Sequence, residues 1–119
     1  MTEPITLQVT KVAGHAVVAV SGEIDISSVP ALRSAIDTVL GDGARQLIVD
    51  LDGVRFMDST GLNLLIGVVK QLGPGSLGVV ANRSSIRRIF SISGIDQVIP
   101  LFETVAAAAA AASKGTAPE

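Results

Sequence analysis

Between Ile5 and Phe102 the apolar residues of this chain switch repeatedly between two spacings, every second position and every third or fourth. Period two marks a strand and period 3.6 a helix, so the switching itself dictates an alternating α/β chain. Ile5, Leu7 and Val9 alternate with polar residues, and Ala16 to Val20 form a more continuous apolar run. With a turn at Val12-Ala13-Gly14-His15 between them, they read as an antiparallel hairpin. Leu32, Ala35, Ile36 and Val39 then make a helical stripe. Ser27 or Ser28 is its candidate cap, Pro30 lies in its first turn and Gly41 stops it. Residues 46–51 are strand-like, and Leu62, Leu65, Ile66 and Val69 share one face of a helix running to about Leu72. Gly73-Pro74-Gly75 breaks the chain before a strand at 77–81. Ser84 or Ser85 is placed to cap a helix with Ile86, Ile89 and Phe90 facing inward, and Ser93-Gly94 ends it. A short strand at 98–102 and an alanine-rich helix at 103–112 complete the order β-β-α-β-α-β-α-β-α. Helical crossovers of this length imply a mostly parallel sheet, made mixed by the hairpin.

The 119 residues suit one domain, expected to span residues 1–112 with a frayed tail at 113–119. Apolar residues make up 48 % of the chain, enough for a core without metal or disulfide staples, and that core is aliphatic, with three Phe and no Trp or Tyr. Nine Lys and Arg against eleven Asp and Glu leave a net charge of −2, which gives no electrostatic reason to bind nucleic acid or an anionic membrane. The one basic cluster, Arg83, Arg87 and Arg88, is too small and too poor in aromatics to make a nucleic-acid surface. The absence of cysteine removes thiol catalysis, thiol redox sensing and Cys-ligated metals, and a single histidine removes a His-rich metal site. Met1-Thr2-Glu3-Pro4 carries no basic region or apolar signal core, and no apolar run is long enough for a membrane span. A cytoplasmic location is expected.

Chemistry concentrates in Asp58-Ser59-Thr60-Gly61, where the strand-like run gives way to a helix. The first N–H groups of a helix lack partners within it, and its dipole makes that end electropositive. A hydroxyl there can cap the helix, attack a substrate or receive a phosphoryl group. Nucleophilic attack is the poorest fit. The elbow pattern G-x-S-x-G lacks its first glycine in Met57-Asp58-Ser59-Thr60-Gly61, and the only base of the right kind, His15, lies in the hairpin turn. Gly73-Pro74-Gly75-Ser76-Leu77-Gly78 precedes a strand instead of opening a helix, so it is a linker and not a phosphate cradle. Asp50, Asp52 and Asp58, with Asp25 if its loop converges on them, are spaced closely enough for Mg²⁺, but loop acids more often serve as caps and turn formers, and no metal or other cofactor is expected. A phosphate on Ser59 would add about −1.5 to −2 charge beside Asp58, and a helix start tolerates that charge. Its effect would fall on whatever docks there. If Ser59 only caps the helix, it is worth ~0.5–2 kcal/mol.

Phe56-Met57-Asp58-Ser59-Thr60-Gly61-Leu62 resembles the signature of the anti-sigma factor antagonists, the bacterial STAS-domain proteins. Gly22-Glu23-Ile24-Asp25 is similar to the family's loop after the second strand, and residues 86–95 to its late helix and glycine turn. The resemblance covers almost the whole chain. It implies a non-enzymatic partner switch. The unphosphorylated protein would bind an anti-sigma factor that is itself a serine kinase and so free a sigma factor. Phosphorylation of Ser59 from ATP would end the binding, and a serine phosphatase would restore it. Carried over by position, Ser59 is the acceptor, with Thr60 second, because many relatives have a serine where this chain has Thr60. Asp25, Asp58, Ser59, Thr60, Gly61 and Leu62 would form the partner-binding segment, with Gly22 giving the first loop its close approach. The family also includes modules with other partners, in stressosome-like or lipid-transport complexes.

Overall fold

A computed structural model describes residues 5–115. Its elements are β1 (Thr6–Val12), β2 (His15–Ile24), α1 (Val29–Gly41), β3 (Leu47–Met57), α2 (Ser59–Leu72), β4 (Leu77–Val80), α3 (Ser84–Ile92), a 3-10 turn (Ile95–Gln97), β5 (Leu101–Phe102) and α4 (Val105–Gly115). The 5-stranded sheet has the order β1-β2-β3-β4-β5. β1 pairs antiparallel with β2 across a two-residue turn in which Ala13 and Gly14 both have positive φ, and the other neighbours pair in parallel. This is the mixed, mostly parallel α/β sheet the alternation demands.

Strand order and chain order coincide, and crossovers between parallel strands are right-handed. Together these put α1, α2 and α3 on one face. There Leu32, Ile36, Leu62, Leu65, Ile86 and Phe90 pack on Val18, Val49 and Val79 in the main core. α4 is not a crossover, and it lies on the other face, where Ala108 and Ala109 cover Val17, Ile48 and Val80. Strands covered on both sides read as continuous apolar runs, which explains the pattern of residues 16–20 and 47–51. The alanine run thus docks on its own domain, with small side chains that let the helix approach the sheet closely.

Several boundaries differ from the sequence reading. β2 continues through Ile24, so Gly22-Glu23-Ile24 is strand and not loop. Gly22 sits there at φ 106, beside a shift in β2–β3 register. Only glycine adopts that backbone without strain. β3 likewise runs on to Met57. Between Asp50 and Phe56 it advances further than β2 at two places, where Ala19↔Asp50 is followed by Ser21↔Gly53 and Gly22↔Val54 by Glu23↔Phe56. Such bulges bend and twist a strand and re-aim the side chains beyond them. The expected strand at 98–102 shrinks to Leu101–Phe102 because the 3-10 turn takes up the chain before it, and Ile99 is buried without belonging to a strand. α4 starts at Val105, where the Thr104 hydroxyl accepts the Ala107 N–H at 3.0 Å, and continues to Gly115 instead of stopping at 112. Residues 1–4 of the expected domain and 116–119 of the expected tail lie outside the described residues.

The serines expected to cap α1 and α3 do not do so. Neither helix has a side-chain cap bond. Before α1, the Ser28 hydroxyl instead donates to the Glu23 carbonyl at 2.8 Å and accepts the Asp25 N–H at 2.9 Å. α3 begins on Ser84 itself, after Arg83.

Candidate functional site

β2 and β3 are parallel and finish side by side, with Ile24 paired to Met57 and the Asp58 N–H donating to the Ile24 carbonyl at 3.1 Å. The chain after each strand therefore emerges at one place. Asp25-Ile26-Ser27 follows β2, and Asp58-Ser59-Thr60 follows β3 and opens α2. Buried Ile24 and Met57 hold the pair from below.

Asp58, not Ser59, caps α2. Its carboxylate accepts the Thr60 N–H at 2.9 Å and the Thr60 hydroxyl, and its carbonyl accepts the Gly61 N–H at 3.2 Å. Ser59 is the first helical residue, and its side chain points out. It is exposed and its hydroxyl makes no hydrogen bond among the described residues, whereas Thr60 is half-buried and committed to Asp58. Gly61 and Leu62 are buried, so they set the helix start and present little surface of their own. Asp58→Ala should remove ~0.5–2 kcal/mol of stability, the range for a lost N-cap, measurable by urea denaturation. Ser59→Ala should leave stability within about 0.5 kcal/mol, as for a surface position without partners. The reverse ranking would return the cap to Ser59.

In the segment after β2, the Asp25 carboxylate accepts the Ser27 hydroxyl at 2.7 Å and the Ser27 and Ser28 N–H groups at 3.0 and 3.2 Å. The Ser27 hydroxyl is the main cause holding the Asp25 carboxyl below its ordinary range; partial desolvation opposes it, and the two N–H groups add to it. Asp25 is thus held as an anion in a fixed turn. Asp50 accepts the Asp52 N–H, and Asp52 binds the Asn82 backbone N–H and side-chain amide, each at 3.0 Å. Asp25, Asp50, Asp52 and Asp58 are therefore each engaged separately, and the described residues contain no group of three acids or histidines placed to hold a metal. His15 opens β2 at the far end of the sheet, its Nε2 2.9 Å from the Ser113 hydroxyl.

Two residues at this end had no role in the sequence reading. Ile26 is 76 % exposed and Phe56 49 % exposed, and the two belong to the segments that end β2 and β3. Ile26 carries a weak sequence signal: it stands between Asp25 and Ser27, outside any strand or helix stripe. Arg83 was also missed. β4 pairs with β3 only as far as Asp50, and the free edge beyond it is held by Arg83, whose Nε–H donates to the Val54 carbonyl at 3.1 Å.

Residues 6–108 match the family model of the STAS domain. The chain belongs to the STAS-domain family. It is 36 % identical over 104 residues to the anti-sigma-F factor antagonist RsfB of Mycobacterium tuberculosis, covering 87 % of this chain and 85 % of that protein. It is 35 % identical over 88 residues to the anti-sigma-B factor antagonist of Staphylococcus aureus, covering 72 % and 82 %. The crystal structure of an anti-sigma factor antagonist from Mycobacterium paratuberculosis superposes with a TM-score of 0.86 at 38 % identity, covering 95 % of this chain and 99 % of that one. This STAS domain has no helix among its described residues long and apolar enough to cross a membrane.

Proposed function

We propose that this chain is an anti-sigma factor antagonist that docks through the paired ends of β2 and β3 and is released when Ser59 is phosphorylated. The observation that carries the reading is the division of labour at the start of α2: Asp58 caps the helix, Thr60 is tied to that cap, and the Ser59 hydroxyl is exposed and uncommitted. The names of the relatives supply the class of partner. Ile26 and Phe56 are apolar anchors of the kind an interface centre uses, and Asp25 and Asp58 supply the charged rim.

The partner is an anti-sigma factor with serine-kinase activity. The Ser59 Oγ attacks the γ-phosphorus of ATP, the bond from that phosphorus to the ADP oxygen breaks, and the hydroxyl proton leaves to a base on the kinase. The phosphate joins Asp58 and Asp25 at the same end of the sheet, and a helix start accommodates it without unfolding. The domain survives while its docking face gains bulk and about −1.5 to −2 charge. Hydrolysis by a serine phosphatase restores the original face.

The test is to mix the protein with kinase-type anti-sigma factors and ATP and to locate phosphate by mass spectrometry. Modification is expected on Ser59 and absent in Ser59→Ala, which keeps partner binding. Ser59→Glu should bind at least about tenfold more weakly, a loss of ~1.4 kcal/mol, with an unchanged circular dichroism spectrum. Modification of Thr60, or an anti-sigma complex indifferent to Ser59→Glu, would defeat the switch; binding only to a non-sigma partner would defeat the antagonist assignment.

A further inference from the structure

At the opposite end of the sheet α1 ends at Gly41. The hairpin and the chain after α1 line a cleft of about 600 Å³, in the range of small-molecule sites. Val9 pairs with Val18 and Lys11 with Ala16, so Val9, Lys11 and Ala16 share the floor, and Val9 is 51 % exposed there. Val39, Ala44, Arg45 and His15 also line the cleft.

The charge in this cleft is unbalanced. Neither Lys11 nor Arg45 has a hydrogen-bond or ion-pair partner among the described residues. The single carboxylate on the rim is Asp42. The C-terminal end of a helix is ordinarily electronegative, but here the Thr38, Val39 and Leu40 carbonyls are already used. Thr38 and Val39 accept the Asp42 N–H at 3.1 and 3.2 Å, Leu40 accepts the Gly43 N–H at 3.0 Å and Val39 the Ala44 N–H at 3.4 Å. What remains is an apolar trough with two unpaired cations and one carboxylate beside it. Arg offers a planar fork suited to carboxylate, sulfonate or phosphate, and Lys adds a point charge.

We propose that this cleft is a binding site for a small organic anion with an apolar body, its acidic group held by Lys11 and Arg45 and its body lying on Val9, Ala16 and Val39. The site is at the N-terminal ends of β2 and β3, remote from Ser59, and it does not depend on the docking reading above.

The probe is 8-anilinonaphthalene-1-sulfonate, an aromatic anion, titrated into the native protein by fluorescence with amide shifts followed by NMR. One saturable site is expected, with shifts at Lys11, His15, Ala44 and Arg45 and none at Ser59. Lys11→Gln and Arg45→Gln should each weaken it about tenfold, as expected for loss of a charge-assisted bond, with unchanged circular dichroism. The uncharged N-phenyl-1-naphthylamine should bind at least about tenfold more weakly. Equal binding of the neutral ring, affinity unchanged in both variants, or shifts confined to Ile26 and Phe56 would each overturn the proposal.

Discussion

Phe90→Ala should lower the unfolding free energy by about 3–5 kcal/mol, the loss typical of a buried aromatic truncated to alanine. Phe90 is 0 % exposed, whereas Phe56 lies on the surface and Phe102 is only partly buried. α3 has nine residues, and only Ile86 and Phe90 of these are buried, so one side chain supplies much of the helix's attachment. The damage should also reach the candidate site. Loosening α3 frees Arg83 just before it, and with it the bond to Val54 that holds the unpaired edge of β3. Urea denaturation followed by circular dichroism measures the loss, and amide exchange at Val54 to Met57 should rise in the variant relative to β1. Phe90→Leu should recover most of the stability because it keeps most of the volume. A loss under about 1 kcal/mol for the alanine variant would mean that α3 is held by something else.

The second large effect is a contrast between two glycines of α2. A Cβ on Gly61 would lie 2.6 Å from Ile24 Cγ2 and 2.8 Å from Met57 Cγ, while one on Gly67 would meet nothing within 4 Å. Gly67→Ala should stabilise the protein by up to about 1 kcal/mol, since alanine is the better helix former and space is free. Gly61→Val should destabilise it by about 1–3 kcal/mol, because Ile24 and Met57 are buried and cannot step aside without straining their own packing. Combining Gly61→Val with Met57→Ala should show a favourable coupling in a double-mutant cycle, whereas Gly67→Ala with Met57→Ala should be additive. If both glycine variants move stability in the same direction, the helix start is not pressed against the paired strand ends.

That contact is one of the things the sequence concealed. Period-two and period-3.6 stripes made the alternation visible, and with it the mixed sheet, because each stripe records burial on one face. The extension of β3 was hidden because its two bulges change the spacing. Leu51, Val54 and Met57 are buried three residues apart, a pattern no regular strand produces. Asp58 and Ser59 are adjacent residues that both cap helices well, so residue type could not say which one does. The same ambiguity concerned Ser27 and Ser28, where Asp25 organises the turn instead. α4 gave no signal at all for its docking face, since a run of alanines is equally apolar on every side. What residue order did reveal was the neighbourhood of Ser59; the exposure of Ile26 and Phe56 at the same end of the sheet required the fold.

The placement of α4 has a consequence for how the chain is made. α1, α2 and α3 are crossovers, so each can close over the sheet as soon as the strand after it is in place. Val17, Ile48 and Val80 must instead wait for the last helix. During synthesis, which runs from the N-terminus, one side of the sheet can be dry while the other is still open to water and to other nascent chains. A chain truncated after Phe102 would keep all five strands and leave that apolar face uncovered, a natural substrate for a chaperone.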